Sequence, residues 1–321
     1  MKLIFEAKEF QLANPFVISR GAKTHATVIE VAIERDGTVG LGEGVPYPRY
    51  AEGIESVSSQ IASLPREFNC SELQQLLPPG AARNAVDAAL WDLEAKEVGS
   101  SVWQLANLPE PKPITMGETI SIGPVDQMLA RAKELASAKL IKLKLGSPQD
   151  QEVLLNIRDF APNPKLLVDV NEGWSREQLE QLAPALEAAR VEILEQPLSD
   201  QDSHHLKGLK LSAVLCADES LHPGQDLEQL VDRYQMVNIK LDKSGGLTSA
   251  IEQVYRAREL GLKVMVGCMV SSSLSIAPAY LLGQLADLVD LDGFSLLASD
   301  RPGGFEIHSG QLRPTEDSFW G

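Results

Sequence analysis

Three runs decide how this chain folds: LIKLKLG (140–146), KLLVDVNEGW (165–174) and VEILEQP (191–197). Each begins aliphatic and ends on charged or polar residues, and stretches with helical periodicity separate them. The same pattern continues outward in both directions. Upstream lies ITMGETISI (114–122), and downstream lie VLCADES (214–220), MVNIKLDKSGG (236–246), KVMVGCMV (263–270) and LVDLDGF (288–294). Eight strands at roughly 25-residue spacing, each followed by a helical stretch, predict an α/β chain built as a (β/α)8 TIM barrel. A doubly wound sheet is disfavoured because no GxGxxG follows the first strand.

Ahead of the barrel, apolar runs at Val28–Ile33 and Val39–Gly42 flank a turn signal at Asp36-Gly37, and helical periodicity runs from Ala81 to Leu105. These features predict an α+β capping domain. Prolines 109, 111 and 113 make a stiff connector, because proline breaks helices and holds its predecessor extended. The expected division is therefore 1–112 for the cap, 113–299 for the barrel, and 300–321 for a tail that packs back on the cap.

With 321 residues, 44% of them hydrophobic, the chain can bury a sizeable core. Its net charge of −16 argues against nucleic acid or an anionic membrane as partner, since both need concentrated positive charge. A small-molecule partner is expected. The N-terminus lacks the unbroken apolar stretch of a signal peptide, and no run is long enough to span a membrane, so a cytoplasmic protein is expected. Cys70, Cys216 and Cys268 are odd in number and far apart, which suggests neither a disulfide framework nor a thiolate metal site.

Catalytic groups of such barrels sit where the strands end. The second strand ends with Lys142 and Lys144, the third with Asp169 and Asn171, the fourth with Glu195, the fifth with Asp218 and Glu219, and the sixth with Lys240 and Asp242. Alternation along a strand puts Lys142 and Lys144 on one face, which points inward because Ile141, Leu143 and Leu145 take the other. Asp169, Glu195 and Asp218 come from consecutive strands, so their carboxylates are expected to converge and to need a cation between them. Three carboxylates with room for further oxygens suit octahedral Mg2+. Asn171, Glu219 and Asp242 would support these ligands. Strands two and six are opposite in a ring of eight, so Lys144 and Lys240 are expected to flank one carbon. That arrangement suits removal of a proton from one face and its return to the other. For a lysine to serve as base its pKa must fall from about 10.4, through burial and neighbouring cations such as Lys142.

KLKLG, LLVDVNEGW, ILEQP, CADES and VNIKLDKSGG, in that order, resemble the strand ends of the enolase superfamily, muconate lactonising subgroup. The resemblance covers nearly the whole chain. It implies metal ligands at Asp169, Glu195 and Asp218, catalytic bases at Lys144 and Lys240, and a helper on the substrate carboxylate side at Lys142. Within the subgroup the chain is similar to the dipeptide epimerases that act on L-Ala-D/L-Glu from peptidoglycan turnover. Asp290 and Asp292 in the eighth strand could hold the free α-ammonium of a dipeptide. PFVISRG places Arg20 where the family meets the substrate's side-chain carboxylate, and Thr119 stands at another substrate-contacting position. The resemblance also implies assembly into homo-oligomers. The serine run in VGCMVSSSLSIAPA departs from the family pattern and leaves contacts to the peptide backbone open. The VPYPRYAEG loop resembles the family and is expected to close over the site, with the choice among Tyr47, Arg49 and Tyr50 for the substrate contact left open.

Two other readings stand beside this one. The same fold serves N-acylamino acid racemases and o-succinylbenzoate synthases or muconate cycloisomerases, whose substrates lack the ammonium that Asp290 and Asp292 would attract. A non-catalytic binding barrel is the remote alternative, against which the intact set of lysines and carboxylates counts.

Overall fold

In the computed structural model, which describes residues 1–19, 21–308, 310–313, 315 and 319–321, the Asp36-Gly37 pair turns the chain. Both residues have positive φ, 49° and 87°, as in the primed turns whose twist matches a hairpin. The turn joins β2 (Gly21–Arg35) to β3 (Thr38–Gly44), and β1 (Lys2–Ile18) pairs antiparallel with β2 on its other edge. Helices α1 (Ile54–Ala62), α2 (Cys70–Leu76), α3 (Ala81–Val98) and α4 (Val102–Leu105) follow. The single helical stretch expected to Leu105 is thus two helices, the first ending at Gly99 in the left-handed region.

Helix α3 lies directly on strand β3, and the sequence shows why. Gly40, Gly42 and Gly44 share one face of the strand, while Ala81, Ala85 and Ala89 share one face of the helix. A Cβ on those glycines would stand 2.2, 2.1 and 2.3 Å from the carbonyl oxygens of Ala89, Ala85 and Ala81. The other side of α3 meets the second domain. Arg83 donates to the carbonyls of Ser244 and Gly245, Trp91 Nε1 to Thr248 Oγ1, and Asp87 accepts from Thr248. Pinned from both sides, the helix buries Arg83, Asn84, Asp87 and Asp92 along with its alanines.

The second domain carries eight parallel strands, β5 (Glu118–Ile120), β6 (Leu140–Lys144), β7 (Lys165–Asp169), β8 (Val191–Glu195), β9 (Val214–Ala217), β10 (Met236–Lys240), β11 (Lys263–Gly267) and β12 (Leu288–Asp290), paired in sequence order. All eight expected runs contain a strand. The sheet curls strongly. Lys142 on β6 lies 2.5 Å from Asp290 on β12, six strands away, whereas a flat sheet would separate them by about 29 Å at about 4.8 Å per strand.

Helices α5 (Val125–Glu134), α6 (Asp150–Phe160), α7 (Arg176–Ala188), α9 (Leu247–Glu259) and α10 (Ser273–Gly283) cover the outer face, and the short α8 (Leu241–Ser244) follows β10 at the seam between the domains. The expectation of a helix after every strand fails after β8, β9 and β12, which are followed by 3-10 turns at Ser203–Leu206, Leu227–Gln229 and Gly293–Leu296; the first two have a local cause. Pro197 and the Pro223-Gly224 pair interrupt those segments before an α-helix can propagate. The run 114–122 is also divided. Ile114–Thr115 forms β4 and pairs with β14 (Gln311–Leu312), itself paired with β13 (Ile307–His308). The tail reaches the first domain, with Trp320 Nε1 donating to Leu41 O and Gly321 O accepting from Val102 N, both at 2.9 Å.

Inside the curl the strands repeat one plan. Leu140, Leu167, Ile193, Cys216, Met236, Met265 and Leu288 fill one end with apolar groups. Two residues further along the same faces stand Lys142, Asp169, Glu195, Asp218, Asn238, Gly267 and Asp290. Among the described residues no helix is long and apolar enough to cross a membrane.

Candidate active site

Lysines and carboxylates alternate across the mouth of the curled sheet. Lys142 Nζ lies 2.9 Å from Asp169 Oδ2, 2.8 Å from Glu195 Oε2 and 2.5 Å from Asp290 Oδ2. Lys144 Nζ donates to Asp169 Oδ2 at 2.5 Å and to Asn171 Oδ1 at 3.1 Å. At the other end of the row Lys240 Nζ donates to Asp218 Oδ2 at 2.8 Å and Lys243 Nζ to Asp218 Oδ1 at 2.7 Å. Thus Lys144 and Lys240 stand at opposite ends of the row Asp169, Glu195, Asp218. Asn171 Nδ2 donates to Glu219 Oε1 at 3.3 Å, joining two of the supporting residues.

The three carboxylates do not meet around one point. No group of three acidic, imidazole or thiol side chains among the described residues is arranged to hold a metal ion. Ammonium groups lie between the carboxylates instead and neutralise them. Burial would raise Asp169 and Asp218, but Lys142 and Lys144 hold the first, and Lys240 and Lys243 the second, well below the usual carboxylate range. Burial pushes Glu195 up to about 8, reinforced by Asp169. Its Oε2 is buried and lacks a hydrogen-bond partner although Lys142 is close. The lysines move opposite to expectation. Burial would lower Lys142 and Lys240, yet Asp169, Asp290 and Glu195 hold the first, and Asp218 and Glu195 the second, well above 10.5. The donor set is all carboxylate oxygen, and one member is costly to ionise where it stands. These residues therefore fit a hard divalent cation, which would relieve Glu195 and loosen the hold of the carboxylates on the lysines.

Thr119 Oγ1 donates to Asp292 Oδ2 at 2.6 Å, so residues from the first and last strand ends meet. Burial, then Asp290, pushes Asp292 up to about 6. Asp242 stands elsewhere than expected. The strand ends at Lys240, so Asp242 lies in α8, and its Oδ1 accepts from Val45 N and Asn84 Nδ2 of the first domain at 2.9 and 2.8 Å. It supports the seam between domains, not the carboxylate row, and burial pushes it up to about 7. Arg20 lies outside the described residues.

Lys243, which the sequence offers as a local cation for an anionic substrate, lies three residues beyond Lys240 on a helical turn. Two residues escaped the sequence reading, and the first, Asn238, precedes Lys240 on the same strand face. Asn238 Nδ2 donates to Glu195 Oε1 at 2.7 Å. Gln196, between Glu195 and Pro197, accepts the backbone N–H of both Asp218 and Ser220 on Oε1 and so sets the path of the chain at Asp218. Gln196, Asn171 and Glu172 all have positive φ, at 37°, 47° and 67°, the kind of backbone strain that collects at functional sites.

The first domain roofs the site. A cavity of about 820 Å3 is lined by Phe16, Lys23, Tyr47, Tyr50 and Ile54 from the cap and by Lys142, Lys144, Lys240, Asp218, Asp290 and Asp292 below. In the VPYPRYAEG loop Arg49 pairs with Glu172 through two contacts of 3.0 and 2.8 Å, while Lys23 Nζ lies 4.9 Å from the Tyr47 ring centroid.

Comparison with known proteins gives this geometry relatives. Residues 2–106 match the family model described as the mandelate racemase / muconate lactonizing enzyme N-terminal domain, and residues 127–316 match the enolase C-terminal domain-like model. The chain is 41% identical to an L-Ala-D/L-Glu epimerase of Escherichia coli, over 96% of this chain and 98% of that one. It is 40% identical to an N-acetyl-D-glutamate racemase of a Pseudoalteromonas species, over 92% and 95%. A crystal structure from Agrobacterium tumefaciens, of an enolase family member with homology to dipeptide epimerases and bound sodium and L-Ala-L-Glu, superposes with a TM-score of 0.95. It shares 40% identity, with 99% of each chain covered. A dipeptide epimerase of Methylococcus capsulatus, complexed with Mg and L-Arg-D-Lys, gives a TM-score of 0.86 at 30% identity over 97% and 96%.

Proposed function

The chain belongs to the mandelate racemase / muconate lactonizing enzyme family of the enolase superfamily, and from that premise we propose that it epimerises dipeptides of the L-Ala-D/L-Glu type at the α-carbon of the C-terminal residue. One observation carries the reading. Lys144 and Lys240 line a single cavity and stand at the two ends of the row Asp169, Glu195, Asp218, of which Asp218 reaches the lining, and Asp290 and Asp292 provide an anionic wall beside them.

In this reading the curled sheet is a closed (β/α)8 barrel, residues 1–112 are its cap and 300–321 a tail. Asp169, Glu195 and Asp218 hold Mg2+, with Asn171 and Glu219 alongside. Bound magnesium supplies positive charge to the substrate carboxylate, which makes the neighbouring C–H more acidic. Lys144 and Lys240 act on opposite faces of that carbon. One, as free amine, takes the α-proton, and the other, as ammonium, returns a proton from the far side. The enediolate between these steps carries its charge on the carboxylate oxygens, where the Lys142 ammonium stabilises it. Asp290 and Asp292 receive the dipeptide's ammonium, Thr119 orients Asp292, and Arg20 meets the side-chain carboxylate. Capture of an anionic substrate by a chain of net charge −16 relies on these local cations, within a cytoplasmic protein.

The 40% identity to an N-acetyl-D-glutamate racemase supports a second reading, N-acylamino acid racemisation at the same lysines. One experiment separates the two. L-Ala-L-Glu and N-acetyl-L-glutamate are incubated with the protein and Mg2+ in D2O, and α-proton loss and inversion are followed by NMR. We expect exchange with inversion in the dipeptide, abolished by Lys144→Ala and by Lys240→Ala. Exchange confined to the N-acetyl compound would establish the second reading, and exchange in neither would remove both.

A further inference from the structure

The serine run that follows β11 meets a buried acid that the proposed chemistry does not use. Glu43, near the end of β3, has no exposed surface, and neither does Ser272. Glu43 Oε1 accepts from Ser272 N at 2.9 Å, and its Oε2 accepts from Ser272 Oγ and, at 2.8 Å, from Arg301 Nη2. Arg301 Nε donates to Ser272 Oγ at 2.6 Å, and its Nη1 reaches Glu30 Oε2 at 2.5 Å. Three distant segments therefore close on one point: the first domain at Glu43, the sequel of β11 at Ser272, and the tail at Arg301. Burial raises Glu43, while Arg301 and Ser272 oppose that rise.

The position of this junction matters more than its strength. Two residues beyond Glu43 the chain enters the cavity wall at Val45 and Tyr47, and two residues before Ser272 it leaves the wall at Val270, after Met269. Val45 and Met269 pack together, with Tyr47 against them. A displacement of Glu43 relative to Ser272 is carried within two to four residues into the spacing between those side chains. The lysines and carboxylates of β6 to β10 take no part in the junction.

We propose that Glu43, Ser272 and Arg301 are positioning residues that clamp the cap wall at Val45–Tyr47 to the barrel wall at Met269–Val270, and so govern how tightly the cavity holds its dipeptide. The inference rests on the dipeptide reading of the cavity. The triad acts on binding, and proton transfer at the lysines proceeds without it.

Glu43→Gln and Ser272→Ala are compared with the unaltered protein by steady-state kinetics on L-Ala-L-Glu and by amide hydrogen exchange over residues 44–51 and 267–271. In Glu43→Gln, KM rises about tenfold with kcat within about twofold, the direction expected when substrate positioning loosens and the reacting groups stay in place. Exchange quickens in both segments together, and Ser272→Ala shows both effects more weakly. A purely structural role would lower the melting temperature and leave KM alone; KM unchanged in both folded variants, or a fall confined to kcat, overturns the proposal. If Glu43→Gln fails to fold, Ser272→Ala decides, because it keeps the Glu43–Arg301 pair. If the unaltered protein turns over no dipeptide, the functional reading falls, and exchange alone judges the clamp: quickening in both segments supports it and unchanged exchange overturns it.

Discussion

Replacing Lys142 by methionine removes the one cation shared by Asp169, Glu195 and Asp290, which it contacts at 2.9, 2.8 and 2.5 Å. Three buried carboxylates then face one another. Removing one partner of a buried ion pair costs about 3–5 kcal/mol, because the remaining charge is left uncompensated. Unfolding entropy of about 2.1 cal/mol/K per residue, over 321 residues, is about 0.7 kcal/mol/K, so the metal-free melting temperature should fall by about 4–7 °C. Magnesium should narrow that gap. In the unaltered protein the Lys142 ammonium lies against the oxygens of Asp169 and Glu195 that a divalent cation would use, and the two compete. Saturating to about 100 times Kd adds about 2.7 kcal/mol to any protein that binds the ion only when folded. At equal magnesium, Lys142→Met should gain more than the unaltered protein, because nothing competes for those oxygens. Scanning calorimetry with and without magnesium measures both quantities. A metal-free melting temperature within about 1 °C of the unaltered value would refute the charge argument, and a smaller magnesium shift in the variant would refute the competition.

Asp242 sits between the domains with its acid raised from 3.8 to about 7, so the folded protein holds that proton more tightly than the unfolded chain does. Stability should therefore fall as pH climbs through that interval, by up to about 4 kcal/mol from this group. Asp242→Asn keeps an acceptor for Val45 N and Asn84 Nδ2, and urea unfolding should show it matching the parent at pH 4 and exceeding it at pH 8. An identical pH slope in both proteins would discount the group. Gly42→Ala would set a Cβ 2.1 Å from Ala85 O and 2.6 Å from Ala89 N, both rigid backbone atoms, and should lower the urea midpoint by the equivalent of about 1–3 kcal/mol. Gly53→Ala, with nothing within 4 Å of its Cβ, is the control expected to stay within about 0.5 kcal/mol.

The sequence displays the curled sheet because five of its strands, β6 to β9 and β12, change from apolar to charged within two residues, as from Leu140 to Lys142 or from Leu167 to Asp169. That change marks both the inward face and the end where the chemistry lies. Strand β1 shows no such signal. It alternates exposed with half-buried residues and has no fully apolar face, so its identity depends on pairing with β2. Ile114 and Thr115 look like the start of a barrel strand, but their partners are at Gln311 and Leu312, a pairing no local pattern encodes. Asp242 was misplaced because alternation was carried past Lys240, where the chain coils into α8. The raised proton affinity of Lys142 and Lys240 is not legible in the sequence because it arises from contacts with carboxylates on neighbouring strands.

The stacking of α3 on the glycines of β3 also limits how a substrate can enter. A helix pressed backbone to backbone against one domain, and hydrogen-bonded through Arg83, Asp87 and Trp91 to the other, leaves no plane along which the cap could swing as a body. Traffic through the cavity must pass through a smaller part, the loop from Pro48 to Gly53 that lines it beyond the clamped wall. Such parts rearrange in nanoseconds to microseconds, faster than hinged domains. Admission is thus separated from the reacting groups, and the loop can change its sequence, and with it the guest list, while the lysines and carboxylates beneath keep their register.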